Sequence, residues 1–149
     1  MAKILIKKLD KAVKLPEYKT DGASGMDLMA FIKKPINIKP YKSSLIPTGL
    51  SVAFSKEYEI QIRPRSGLAA KNNISILNTP GTIDSDYRGE IKIILYNHGN
   101  KEFRVNNGDR IAQMVLTPIV KMEFKETNEL PKTIRGKGGF GSTGKWVQI

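Results

Sequence analysis

The chain has 149 residues, of which 40% are hydrophobic and 26% charged, enough for one domain with its own core. It has no cysteine and one histidine, which excludes disulfides, thiolate zinc sites and cysteine nucleophiles and argues against a histidine-rich metal centre. The formal charge of +11 suits a polyanionic partner, whether nucleic acid, an acidic surface or a small phosphorylated molecule.

In chain order, "MAKILIKKLD" carries lysines but lacks the roughly 7–15-residue apolar stretch of a signal peptide. No apolar run is long enough to span a membrane, so the expectation is a soluble, cytoplasmic protein. "KILIKKL" places Ile4 and Ile6 on one strand face. "DGASGMDLMAF" sets Asp27 between Met26 and Leu28, where a carboxylate either faces outward or serves a function, because burial without a partner is costly. "INIKPYKSSLIPTGLSVAF" and "EYEIQIRPR" are further alternating, β-branched runs. "SGLAAKN" predicts the one short helix, with Ser66 as its N-cap. "ISILN", "GEIKIILYN", "EFRV", "IAQMVLTPIV" and "KMEF" again read as strands. Turns are expected at Asn97-His98-Gly99-Asn100, which makes His98 a turn residue, and at Asn106-Asn107-Gly108-Asp109. Eight prolines argue against long helices. The predicted fold is mainly β, a barrel-like or jelly-roll sandwich with one short helix. The periodicity fades from about Glu126, dividing the chain into a core of residues 1–125 and a C-terminal arm of residues 126–149.

Lysine and arginine carry different information. The nineteen lysines are scattered and read as a solvated surface. Of the six arginines, Arg63, Arg65, Arg88, Arg110 and Arg135 fall inside glycine-containing motifs, and arginine suits planar, bidentate contact with phosphate. In "IRPRSGLAAKN" a guanidinium, the Ser66 hydroxyl and free helix-start amides converge, which makes either an anion site or an ordinary capped helix. "NTPGTIDSDYRGEIKI" offers Asp84 and Asp86, on one side if the strand is regular there. A carboxylate in that position is a general base, a holder of metal-bound water, or part of a polar hairpin tip. "NNGDRIAQMVL" puts Gln113 in a strand, facing a ligand or simply an edge. The tail "RGKGGFGSTGKW" matches the start of a phosphate loop from Gly139 to Lys145. It fails at the next position, where Trp146 replaces the metal-binding hydroxyl, and too few residues follow to make the helix such a loop requires.

Five segments, "ASGMDL", "PRSGLA", "GTIDSDYRGE", "GDRIAQMV" and "RGKGGFGSTG", together resemble the trimeric dUTP pyrophosphatases, or dUTPases, and span Ala23 to Gly144. The first often reads A-G-Y-D-L in that family; here Ser24 and Met26 differ while Asp27 is retained. The resemblance implies a distorted jelly-roll dUTPase fold and Mg²⁺-dependent hydrolysis of dUTP to dUMP and pyrophosphate. It implies that Asp84 activates the water attacking the α-phosphorus, and that Asp27 holds the metal site through water. It further implies that Arg65, Ser66, Gly67 and Gln113 contact phosphates. Asn78, Thr82, Ile83, Asp84 and the backbone at Lys92 would read the base and sugar, and Tyr87 would pack on the deoxyribose. Arg135, Phe140, Gly141, Ser142 and Thr143 would close over the nucleotide from the arm. It implies a homotrimer whose sites are each built from three chains.

Three rival readings follow from the same residues. A dCTP deaminase resembles this pattern, but its catalytic glutamate would align with Ile94, which cannot shuttle protons. A nucleic-acid-binding barrel needs exposed aromatics among its basic residues, and only 7% of this chain is aromatic. A regulatory nucleotide-binding protein without turnover would have no use for Asp84.

Overall fold

The computed structural model describes residues 2–139. Six strands precede the helix: β1 (Leu5–Lys8), β2 (Met26–Met29), β3 (Ile36–Ile38), β4 (Ser43–Pro47), β5 (Leu50–Ala53) and β6 (Tyr58–Arg63). After α1 (Ser66–Asn72) come β7 (Ile74–Ile76), β8 (Gly81–Ile83), β9 (Lys92–Asn97), β10 (Phe103–Val105) and β11 (Arg110–Pro118). They form antiparallel sheets in the orders β2-β11-β6-β8, β4-β9-β7, β1-β5 and β10-β3. Among the described residues no one sheet closes on itself, so the mainly β expectation holds as a distorted jelly roll rather than a regular barrel.

Period-two patterning places the core. Along β6, Ile60 and Ile62 point inward while Glu59, Gln61 and Arg63 take the other face. Along β9, Ile93 and Leu95 are buried, and Lys92, Ile94 and Tyr96 face away. These side chains meet Leu28, Ile46, Ile76, Val105 and Ile111 in one cluster. Each fully buried Ile or Leu stabilises by about 1.5–3 kcal/mol relative to exposure. Among the buried polar side chains, Asn97 is only 1% exposed. Its Nδ2 donates to the carbonyls of Ile38 (2.9 Å) and Lys101 (2.8 Å), and its Oδ1 accepts from the Gly99 amide (2.9 Å). All its strong groups are satisfied, so it fastens the end of β9 to β3 and to the turn before β10 without the penalty of an orphaned polar atom.

Several expectations are corrected. The run from Ile36 to Phe54 is three strands, interrupted by Tyr41 at φ 58° and by Gly49 at φ 70°. "KMEF" forms no strand: it pairs with no other strand among the described residues, and Met122 and Phe124 are exposed. The helix spans the expected residues, but its N-cap is Arg65, in extended conformation and without a side-chain capping bond. Ser66 is therefore the first helical residue, and its hydroxyl is not committed to a cap. A helix this short is not stable by itself. Leu68 packs against the core, and Asn73, left-handed at φ 55°, ends the helix with its amide directed back to Ala69 and Leu68. The expected turns are present: His98 follows β9 directly, and Gly108 takes φ 84° before β11.

Candidate active site

Strand pairing creates two clusters. The first begins at Asp27 on β2, which lies opposite Gln113 on β11. Its carboxylate takes two guanidinium groups: Oδ1 accepts from Arg65 Nε at 2.8 Å and Oδ2 from Arg110 Nη1 at 3.2 Å. The Asp27 side chain is 19% exposed, so solvent screens these pairs less than it would at an open surface. Arg65 also donates from Nη1 to the Arg110 carbonyl (3.1 Å), and Gln113 Nε2 donates to the Pro64 carbonyl (2.9 Å). The start of α1 is thereby locked onto β11. The amides of Ser66 and Gly67 begin the helix, where no preceding turn supplies acceptors. A Cβ at Gly67 would meet nothing within 4 Å, so the space in front of this turn is open to an incoming group.

The second cluster is a cavity of about 540 Å³ lined by Leu45, Thr82, Ile83, Asp84, Tyr87, Gly89, Glu90, Lys92 and Ile94. β8 ends at Ile83, so Asp84 stands at the strand terminus and Asp86 lies in the turn beyond it. The regular alternation that would pair the two carboxylates is absent. Instead the Asp84 carbonyl accepts the Tyr87 amide (3.1 Å), and Arg88 Nη1 donates to the carbonyls of Ser85 (2.7 Å) and Tyr87 (3.1 Å). The hairpin tip is thus braced by its own arginine. Asn78 is not part of the lining; its Nδ2 lies 3.5 Å from where a Cβ on Gly81 would be, beside the first strand residue of this wall.

The two clusters share no lining or bonding residue. Asp27 is on β2 and Asp84 follows β8, the opposite edges of one four-stranded sheet. Three strand spacings separate them, about 14 Å across the sheet. Arg135 reaches neither cluster; its Nε donates to the Gly138 carbonyl (2.8 Å) within the exposed tail. Phe140, Gly141, Ser142 and Thr143 lie outside the described residues. Sequence reasoning passed over Arg110 as a partner of Asp27. Its signal was the Gly-Asp-Arg triplet opening β11, but the contact depends on the β2–β11 register.

No group of three or more His, Asp or Glu side chains is gathered for a metal among the described residues. The Asp27 carboxylate has about four lone-pair sites, and two are used by the arginines. It can still accept from a water. The residues therefore fit a hydrated cation held mainly by a ligand's own phosphates, the usual arrangement for Mg²⁺, and do not fit an all-protein cage.

The chain is similar to known proteins. The dUTPase family model matches residues 11–144. A Treponema denticola protein named deoxyuridine 5'-triphosphate nucleotidohydrolase is 56% identical over 137 residues, 92% of this chain and 95% of the relative. A Rickettsia bellii protein of the same name is 53% identical over 148 residues, 99% of each chain. Among solved structures, the Staphylococcus bacteriophage 80alpha dUTPase with dUPNHPP superposes with a TM-score of 0.85 at 25% identity, covering 95% of this chain and 98% of that one. A dUTPase variant from phage phi11 of S. aureus, described as coordinating a structural Mg(II) ion, shares the fold at 21% identity and a TM-score of 0.78, over 87% of this chain and 99% of its own. The chain belongs to the dUTPase family.

Proposed function

We propose that the chain hydrolyses dUTP to dUMP and pyrophosphate, and that it does so at sites assembled between subunits of a homotrimer. The observation that carries the composite site is the distance between the two clusters. A carboxylate base and the metal-associated aspartate must act on one triphosphate, yet a single chain puts them on opposite edges of a sheet. Joining the cavity of one subunit to the Arg65–Gly67 turn of another resolves this, and it leaves three equivalent sites by symmetry. The stretch after β11 supports assembly. Val120, Met122 and Phe124 alternate, and each is more than 80% exposed in one chain, as are Leu130 and Ile134. Such a series of apolar side chains calls for cover. On this reading residues 1–125 form the core, and residues 126–149 form an arm that crosses to a neighbour's site.

Thr82, Ile83 and the Lys92 backbone line the wall that takes uracil and sugar, with Asn78 at its edge. Rejection of thymine is steric, because a 5-methyl group has to displace a hairpin braced by Arg88. Tyr87 packs on the deoxyribose and leaves no room for a 2′-hydroxyl. Asp84 accepts a proton from the attacking water as its oxygen bonds to the α-phosphorus; the bond to the bridging oxygen breaks and pyrophosphate departs with that electron pair. The neighbour's Arg65, Ser66, Gly67 and Gln113 orient the phosphate chain and balance its charge. Mg²⁺, held through water by Asp27, would supply further neutralisation of the leaving pyrophosphate. Arg135 and the Ser142–Thr143 pair would reach the distal phosphates, with Gly141 allowing close approach and Phe140 over the base.

Product analysis with four nucleotides tests the reading. Pyrophosphate is expected from dUTP, with dCTP, dTTP and UTP poor substrates. Chelation of divalent cations should stop turnover and added Mg²⁺ should restore it, with the thermal unfolding midpoint little changed because the described residues form no metal cage. Ammonia from dCTP would instead establish a deaminase, and affinity for dUTP without products would establish a binding protein.

A further inference from the structure

We infer that Gly89 and Glu90 are positioning residues for Tyr87, holding its ring at the mouth of the cavity and so setting discrimination against ribonucleotides. The inference rests on the reading of Tyr87 as the deoxyribose platform. The Tyr87 side chain is partly solvent-exposed, yet its ring is not free. Its hydroxyl donates to the Glu90 carbonyl at 3.0 Å. To reach it, the ring folds over Gly89. A Cβ there would lie 2.3 Å from the Tyr87 hydroxyl oxygen, 2.5 Å from Cζ and 2.9 Å from Cε2. Gly89 does not occupy the left-handed region, so backbone conformation does not require glycine here. What requires it is the room taken by the tyrosine ring.

Glu90 gives that carbonyl a fixed place. Its Oε1 accepts the Gly49 amide at 2.8 Å, and its Oε2 lies 3.8 Å from Lys92 Nζ at the cavity wall. The next residue is tied down twice: the Ile91 amide donates to the Leu50 carbonyl (2.8 Å), and Thr48 Oγ1 donates to the Ile91 carbonyl (2.6 Å). The anchor itself is closely packed. Gly49 takes φ 70°, and a Cβ on it would come within 2.5 Å of Val13 Cγ2. The β4–β5 turn therefore fixes Glu90, the Glu90 carbonyl fixes the tyrosine hydroxyl, and Gly89 leaves space for the ring between them. A methyl group at position 89 has to push the ring away, because the atoms it meets belong to a ring bonded at its far end.

The test compares wild type with Gly89→Ala, Tyr87→Ala and the double variant. The first readout is the ratio of kcat/KM for dUTP to that for UTP. The second is the NMR position of the Tyr87 ring signals in the free protein, assigned with Tyr87→Phe. Gly89→Ala is expected to shift the ring signals and to lower the dUTP preference by about tenfold or more. Adding it to Tyr87→Ala should lower the preference no further, since both changes act through one ring. Glu90→Ala, which leaves Gly89 unchanged, should shift the same signals, with Glu90→Gln recovering most of the change because its amide oxygen still accepts from Gly49. These variants keep the inference testable if Gly89→Ala fails to fold. Unmoved ring signals in the folded variants, or additive losses in the double variant, would overturn it. Moved signals in a protein whose wild type does not prefer dUTP over UTP would uphold the positioning and remove the sugar-platform role of Tyr87.

Discussion

Replacing Asp84 by Asn is expected to reduce the rate of pyrophosphate release from dUTP by about two to four orders of magnitude, the usual worth of a positioned general base. Affinity for a non-hydrolysable dUTP analogue and the unfolding midpoint should stay near wild type. The structure separates these outcomes. Asp84 sits at the end of β8 and lines the cavity, while its contribution to the hairpin is a backbone carbonyl accepting from the Tyr87 amide. Asparagine keeps that carbonyl, matches the side-chain size and suits the turn. It cannot accept the proton from an attacking water. Single-turnover rates, calorimetric binding of the analogue and thermal unfolding together check the prediction. Undiminished turnover would remove Asp84 from the chemistry.

Removing residues 135–149 should lower turnover by about a hundredfold or more, the scale of losing preorganised donors around a developing charge, while the protein should still fold, assemble into the proposed trimer and bind dUTP. The cut takes away Arg135 and the glycine-rich segment through Gly144, which carries Lys137, Ser142 and Thr143 as further donors for a triphosphate. It spares Val120, Met122, Phe124, Leu130 and Ile134, the apolar side chains that call for a neighbour. Assembly and closure should therefore come apart: light scattering and nucleotide binding stay close to wild type, and kcat falls. Full turnover by the truncated protein would refute the closing role. Dissociation into monomers would move the arm's main task from closure to assembly.

Much of the fold was legible because alternation and turn chemistry act locally. The alternating runs of β6 and β9 predicted strands, and Asn106–Asp109 predicted its turn from residue type. "KMEF" shows the limit of that logic, since its alternation is real but it pairs with no strand among the described residues. Ser66 shows another limit. Serine before an apolar helix reads as a cap, but the extended conformation of Arg65 moves the cap back one residue. For the site, motif order brought forward the residues that the structure gathers: Asp27 with Arg65 and Gln113, and Thr82, Ile83, Asp84, Tyr87 and Lys92 around one cavity. Contacts across long sequence separations were not readable. The Arg110–Asp27 pair depends on the β2–β11 register, and the Glu90–Gly49 bond depends on how β9 meets the β4–β5 turn. No local pattern encodes either one.

The composite site can be tested directly by mixing two inactive variants. Asp84→Asn lacks the base in the cavity, and Arg65→Ala lacks the guanidinium at the helix turn. If one site takes its cavity from one subunit and its turn from another, mixed trimers contain sites with both parts intact. Random equal mixing makes half of the cavities and half of the turns wild type, so activity should recover to about one quarter of the wild-type level after co-refolding or co-expression. Each variant refolded alone stays inactive. A mixture no more active than its two parents would contradict a site shared between subunits and would return both clusters to a single chain.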